Sequence, residues 1–180
     1  MPRRVHPSDM AAPASALPDL LRELLASDLA LLVLFCVFVL EGAMLMYFAP
    51  SELLVPGALA LLGSSTERLL VVLAVAVAGA TVGQYALFLV AERVGRERLL
   101  DSRWFRVGDE RLARFEGWFT RWGPYVVPAS NAMLFTRGML TVPAGLSGMD
   151  DRRFLALSAV GTLVFEAALA GLYLAGIELL

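Results

Sequence analysis

Five apolar stretches dominate the chain, and three of them are long enough to cross a membrane. These three cover residues 29–49, 69–91 and 154–177. A helix rises about 1.5 Å per residue, so roughly 20 apolar residues cross the hydrocarbon core of a bilayer. We therefore predict a membrane-spanning helix for each stretch. The second also carries Gly79 and Gly83, a GxxxG pair that lets another helix pack closely.

The other two apolar stretches are interrupted by residues that break helices. Residues 50–64 are too short to span a bilayer, and residues 123–149 are interrupted several times. Proline lacks a backbone donor and glycine adds backbone freedom, while irregular backbone at membrane depth must be covered by protein or line a wet cavity. We predict a re-entrant hairpin in each stretch, with these structural hairpin residues: Pro56, Gly57, Pro143 and Gly145.

A short internal repeat relates the two interrupted stretches. Leu53–Leu59 (LLVPGAL) and Leu140–Leu146 (LTVPAGL) share four of seven residues. The same offset of 87 residues, applied to the helix at 69–91, predicts a helix at 156–178, close to the stretch found from hydropathy. The predicted fold class is therefore an all-α polytopic membrane protein, an inverted repeat with two re-entrant helical hairpins and flanking transmembrane helices.

The remaining segments are polar or amphipathic. Residues 1–16 predict a disordered N-terminal tail, and residues 17–180 a single transmembrane domain that begins with a surface helix at 17–27. Residues 92–122 contain eight arginines and six acids and predict an interfacial amphipathic helix or helix pair. The arginine excess predicts that this loop and the N-terminus are cytoplasmic.

Composition agrees with a membrane protein and excludes several functions. The chain of 180 residues is 58% hydrophobic and 18% charged, against about 45–50% and about 25% for soluble domains. A net charge of −2 argues against a general nucleic-acid binder. All basic residues are arginine, Cys36 is the sole cysteine and His6 the sole histidine. No nucleophile–base pair or metal set can be assembled from these residues, so we expect no catalytic residue, metal or cofactor, and no enzyme.

Four charged residues stand out because they occur inside apolar segments. Each costs about 2.5–3.5 kcal/mol to place at membrane depth. The functional interpretation treats Glu41, Glu52 and Glu166 as proton-coupling acids, since burial disfavours a charged carboxylate. Arg137 then offers a planar fork that suits a phosphate headgroup, and Asn131 is a second candidate donor to that headgroup. The structural interpretation is that the charges form fixed pairs.

Three sequence signatures resemble the DedA family, also called the VTT or SNARE-associated Golgi protein family, over roughly residues 35–175. The first is a membrane glutamate followed by a Pro-Gly-acid hairpin, which appears here as Glu41 and then APSELLVPGALALLG, with Glu52 as the hairpin acid. The order is altered, because Pro-Ser precedes Glu52. The second reads GQYALFLVAERVG, in which Gln84 replaces the family aspartate.

The third signature is the most specific of the three. It runs Arg-x-x-Pro-x-x-Arg, then Ala-Gly, Met and a basic-Phe pair. Asn131 stands at the first arginine and Leu134 at the proline. The matching residues are Arg137, Ala144, Gly145, Met149, Arg153 and Phe154.

The resemblance implies a function in moving lipids. Bacterial members are associated with recycling undecaprenyl phosphate or flipping phospholipid, with dependence on the proton motive force. We therefore expect a multi-pass plasma-membrane protein that flips or scrambles an anionic phospholipid or polyprenyl phosphate between leaflets. Lipid and protons are the expected partners, with no nucleic acid and with a homo-oligomer as a further expectation. The alternatives are a non-transporting membrane scaffold or assembly protein and a proton-coupled small-solute transporter.

Overall fold

The computed structural model describes residues 29–46, 51–101, 109–134 and 136–178, and within these ranges the structure is helical with no strand. The predictions for 1–16 and 17–27 lie outside the described residues. Short 3-10 turns at Ser51–Leu53 and Gly123–Tyr125 lead into two of the helices. The helices are α1 (Ala30–Gly42), α2 (Leu54–Leu62), α3 (Thr66–Val94), α4 (Arg96–Asp101), α5 (Asp109–Trp122), α6 (Val126–Asn131), α7 (Thr141–Leu146) and α8 (Asp151–Glu178).

Helices α3 and α8 form the centre of the fold. Both are long and apolar enough to cross a membrane, so the helices predicted at 69–91 and 154–177 are present with the length and hydropathy that spanning requires. The Ser65 side chain accepts a hydrogen bond from the Arg68 backbone N–H and caps the start of α3. Asp150 does the same for α8, accepting from the Arg153 N–H at 3.0 Å. These caps satisfy backbone donors that have no partner inside the helix.

Helix α1 is shorter than the 29–49 stretch predicted to span. Its 13 residues rise about 20 Å, less than the roughly 30 Å of a bilayer core. The helix ends at Gly42, and Met44 adopts a left-handed backbone conformation with φ 58°. The prediction of a spanning helix was therefore wrong for this segment, because a turn interrupts an apolar run that hydropathy cannot distinguish from a continuous helix.

The glycines of α3 bring α1 into backbone contact. A Cβ atom on Gly79 would lie 2.8 Å from the Phe35 backbone oxygen, and one on Gly83 would collide with the backbone oxygen of Val39. The close packing predicted for the GxxxG pair is thus confirmed. Because residues later in α1 contact residues later in α3, the two helices run in the same direction.

A first apolar core joins α1 and α2 to one end of α3 and α8. Helix α2 leads back toward the start of α3, where the Arg68 side chain donates to the Leu62 backbone oxygen. Large side chains of α1, α2 and α3 bury one another here, and α8 adds Ala170. The buried members are Leu34, Phe38, Val55, Ala58, Leu59, Val72, Ala76 and Ala170.

A second apolar core lies at the other end of α3, with α6, α7 and the start of α8. The Phe88 and Phe154 rings stack with centroids 4.3 Å apart. Helix α7 packs against α3 through Gly145, where a Cβ would lie 2.5 Å from the Phe88 backbone oxygen. Helix α6 packs against Gly161 of α8 in the same way, through Pro128.

The arginine-rich segment predicted as an amphipathic helix or helix pair forms α4 and α5. Leu112 and Phe115 of α5 are buried, whereas Trp118 and Trp122 are exposed. This division agrees with the predicted amphipathic pattern. An ion pair between Arg96 and Glu116, at 3.2 Å, links the two helices.

Candidate functional site

A buried ion-pair cluster lies where the two apolar cores meet. Arg137, in the loop between α6 and α7, contacts Glu41 near the end of α1 and Glu166 in the middle of α8. Its Nη2 donates to Glu166 Oε1 at 2.6 Å and to Glu41 Oε2 at 3.3 Å. Three of the four charged residues singled out from the sequence are therefore in direct contact, although up to 125 positions separate them.

The side chains of the cluster are almost fully buried. The side chains of Arg137, Glu41 and Glu166 are 6%, 11% and 1% exposed. The Arg137 guanidinium also lies 4.3 Å from the centre of the Phe165 ring, in range of a cation–π contact. Two carboxylates and an aromatic face thus surround one cation, which is a costly arrangement unless its charges compensate one another.

The cluster keeps hydrogen-bonding capacity that no described residue uses. Within the described ranges, Arg137 Nη1 and Glu166 Oε2 are buried and have no hydrogen-bond partner. The same holds for the Thr162 hydroxyl, one turn before Glu166 on α8. The Arg137 Nε lies 3.0 Å from Glu41 Oε1 without the alignment of a hydrogen bond. The guanidinium therefore offers unused donors to a further anion.

Glu52 lies beside the cluster but outside it. Its carboxylate is half-buried and close enough to Glu41 to act on it electrostatically. Among the described residues, no hydrogen bond or ion pair engages Glu52. It is thus the one candidate acid that is both near the site and uncompensated.

Asn131 belongs to a separate buried network next to the cluster. Its amide nitrogen donates to Gln84 Oε1 at 2.8 Å and to Ser158 Oγ at 3.2 Å. Its amide oxygen accepts from the Gly138 N–H at 3.1 Å, directly after Arg137 in the chain. Ser158 also donates to Gln84. The network joins α3, α6 and α8 to the loop that carries Arg137.

Gln84 and Asn131 are two of the positions at which the chain differs from the DedA-like signatures, and their side chains form a hydrogen bond with each other. Where the resembled signatures have an aspartate and an arginine, this chain has two neutral amides that form a hydrogen bond with each other. Each departure is visible in the sequence, but their contact is not. Sequence reasoning also missed Ser158 and Thr162, although both share with Glu166 a spacing of four residues that places the three on one face of α8.

Pro56 and Pro143 occupy matching places in α2 and α7, whereas Gly57 directly follows its proline and Gly145 stands one position further on. Leu53 and Leu140 precede these helices with similar backbone angles, φ −92° and −90°, and Pro56 and Pro143 follow in the first turn. The glycines differ, because nothing lies near Gly57 whereas Gly145 touches α3. The described residues contain no group of three acids, histidines or cysteines that could hold a metal ion.

These features define a class of protein: a helical membrane protein with a buried arginine–glutamate cluster. The chain belongs to the VTT domain family, which is the DedA family resembled by its signatures, and the family model matches residues 49–173. The resemblance predicted from the sequence is thereby confirmed.

One curated relative is named as a transporter. Undecaprenyl phosphate transporter A of Staphylococcus aureus is 23% identical over 141 residues, which cover 76% of this chain and 68% of the relative. No solved structure matches the chain.

Proposed function

We propose that this protein moves an anionic, phosphate-bearing lipid between the leaflets of a membrane, and that this movement is coupled to protons. The observation that carries the proposal is the buried Arg137, held by Glu41 and Glu166 with a donor nitrogen unused. Undecaprenyl phosphate, for which the relative is named, is one lipid of this class, and a phospholipid is the other.

The proposed architecture is an inverted repeat of two re-entrant hairpins. In the first, α1 runs alongside α3 and α2 leads back to the start of α3, as the Arg68–Leu62 contact indicates. In the second, α6 lies along α8, the chain reaches Arg137 beside Glu166, and α7 leads back to the start of α8. Glu41 and Arg137 would then stand near the two tips, close to the midplane.

The proposed coupling to protons follows from charge balance at the cluster. A lipid phosphate that binds Arg137 brings negative charge to a site that already holds two carboxylates. One glutamate must then leave the guanidinium, and a carboxylate without a partner in an apolar interior is costly while charged. That glutamate takes up a proton. When the lipid leaves, the carboxylate pairs with Arg137 again and releases the proton.

Glu52 and Asn131 take supporting roles in this scheme. Glu52 is half-buried beside Glu41 and lacks a partner among the described residues, which suits a group that passes protons to or from Glu41. The nitrogen and the oxygen of the Asn131 amide both already form hydrogen bonds within the protein. Asn131 would therefore hold the Arg137 loop in place and not donate to the headgroup.

We place the protein in the plasma membrane as a multi-pass protein, with residues 17–180 as one domain and α4–α5 on the cytoplasmic side. Arginine-rich loops favour that side. Single cysteines introduced at exposed Arg98 or exposed Ser64 in a Cys36→Ser background test it by labelling of intact cells. Labelling at position 98 only would reverse the proposed orientation.

Lipid translocation in proteoliposomes tests the function directly. A fluorescent phospholipid and a polyprenyl phosphate are followed with and without a pH gradient, for the parent chain and for Arg137→Gln and Glu52→Gln. Arg114→Gln and Glu116→Gln serve as matched controls, because both residues lie on α5 away from the cluster. We expect movement that the gradient drives, that both site variants abolish and that both controls retain.

The other outcomes identify the competing functions. Movement that needs Arg137 and Glu52 but ignores the gradient would make the protein a scramblase. Absence of movement of either lipid, in protein that melts normally, would contradict lipid transport and favour a scaffold. Proton-driven uptake of a small solute without lipid movement would replace the lipid by that solute.

A further inference from the structure

An apolar groove lies next to the loop that carries Arg137, on the side where α5 ends. Its volume is about 380 Å³, in the range of ligand pockets. Trp118 and Trp122 of α5 line it together with Tyr125, Met133 and Leu140. The side chains of Trp122, Tyr125 and Met133 are more than half exposed, so the groove opens at the surface of the protein.

Two unpaired arginines stand beside the aromatic rings of the groove. The Arg121 guanidinium lies 5.6 Å from the centre of the Trp122 ring, and the Arg153 guanidinium 5.7 Å from that of Tyr125. Both arginines are exposed, and in the part of the chain that the structure describes neither forms an ion pair with an acid. The groove therefore combines an apolar interior with a positively charged rim.

The inner wall of the groove includes the residue that directly precedes Arg137. Ser130 and Thr136 line it, and their side chains donate reciprocally to each other's backbone oxygens at 2.6 and 3.2 Å. Thr136 directly precedes Arg137. A molecule in the groove would thus lie against the same turn that presents the buried guanidinium.

We propose that this groove binds an anionic membrane lipid, with its hydrocarbon chain between Trp118, Trp122 and Met133 and its phosphate on Arg121 and Arg153. The charge pattern selects this occupant: an apolar chain fits the interior, and a phosphate matches the two guanidinium groups at the rim. The groove is a site distinct from Arg137. This second proposal rests on the proposed function in one respect: the lipid that binds in the groove belongs to the class of lipid that would then move to Arg137.

Tryptophan fluorescence can report on this groove, because two of the three tryptophans of the chain line it. The third, Trp104, is removed as Trp104→Phe. The protein is reconstituted in vesicles that contain brominated phosphatidylglycerol or brominated phosphatidylcholine, whose bromine atoms quench nearby indoles. We expect the anionic lipid to quench at lower mole fraction.

The variants separate the two parts of the site. Arg121→Gln and Arg153→Gln should each lower the preference for the anionic lipid about fivefold, the effect of one basic residue at a membrane surface. Arg114→Gln, which changes another exposed arginine of α5, one paired with Glu110, should leave it unchanged. Ala129→Phe, which fills the groove from α6, should reduce quenching by both lipids.

Three results would overturn the proposal: equal quenching by the two lipids, equal loss in Arg114→Gln, or undiminished quenching in Ala129→Phe. Translocation measured on the same samples keeps the two proposals apart. Lipid preference without translocation would retain the groove and refute the transport function. Translocation without lipid preference would do the reverse.

Discussion

The contact of α7 with α3 makes Gly145 the most informative position for a stability test. A Cβ there would lie 2.5 Å from the Phe88 backbone oxygen and 2.9 Å from the Ala91 Cβ. Ordinary van der Waals contact begins near 3.4 Å, so Gly145→Ala forces the two helices apart by about 0.9 Å. Overpacking of this kind costs about 1–3 kcal/mol.

Gly57 provides a matched control within the same internal repeat. It lies one position after the proline of α2, as Gly145 lies two positions after that of α7, but a Cβ at Gly57 would meet nothing within 4 Å. Gly57→Ala should therefore raise stability by up to about 1 kcal/mol, the difference in helix propensity between glycine and alanine. The two substitutions are chemically identical, so the difference between their effects isolates the helix contact.

The assay is unfolding of the purified protein in mixed detergent micelles, followed by circular dichroism and by tryptophan fluorescence. We expect Gly145→Ala to unfold at a lower denaturant concentration than the parent chain. Gly57→Ala should unfold at an equal or higher denaturant concentration. Equal shifts for both variants would refute the reasoning, because they would show that α7 is not packed against α3 at the backbone.

Two further predictions concern the buried polar groups. Arg137→Gln leaves the carboxylates of Glu41 and Glu166 without their cation and should cost about 3–5 kcal/mol in the same unfolding assay, while Arg137→Gln with Glu166→Gln should recover part of that loss; no recovery would mean that the two charges do not interact. Asn131→Leu strands the Gly138 N–H, at about 1–3 kcal/mol, and leaves Gln84 with Ser158 as its remaining hydrogen-bond partner. Adding Gln84→Met should cost less than the sum of the single changes in a double-mutant cycle, and strict additivity would contradict the hydrogen bond.

The long helices could be predicted because their signal is local. Apolar runs long enough to cross a bilayer, with Ser65 before one and Asp150 before the other, determine α3 and α8 almost completely. The end of α1 could not be predicted in this way. The helix ends where Gly42 lies against the backbone of Ala80, and that contact is tertiary.

The sequence predicts which charged residues are candidates for the buried cluster, but not which of them form ion pairs with one another. A charge inside an apolar segment is visible in the sequence, which is why hydropathy alone makes Glu41, Arg137 and Glu166 candidates. Which carboxylate meets the guanidinium depends on how the hairpin loops fold against α8. The partnership of Gln84 with Asn131 is of the same kind, since 47 positions separate the two residues and neither carries a charge.

The backbone contact between α1 and α3 limits how this molecule can move. Where glycines bring two main chains together, no side chain lies between them that could rotate to let one helix slide past the other. The two helices therefore shift only as one rigid body, and Glu41 travels with it. Arg137 and Glu166 belong to the other half of the chain, so the ion pair between Glu41 and Arg137 joins the two halves at the buried site.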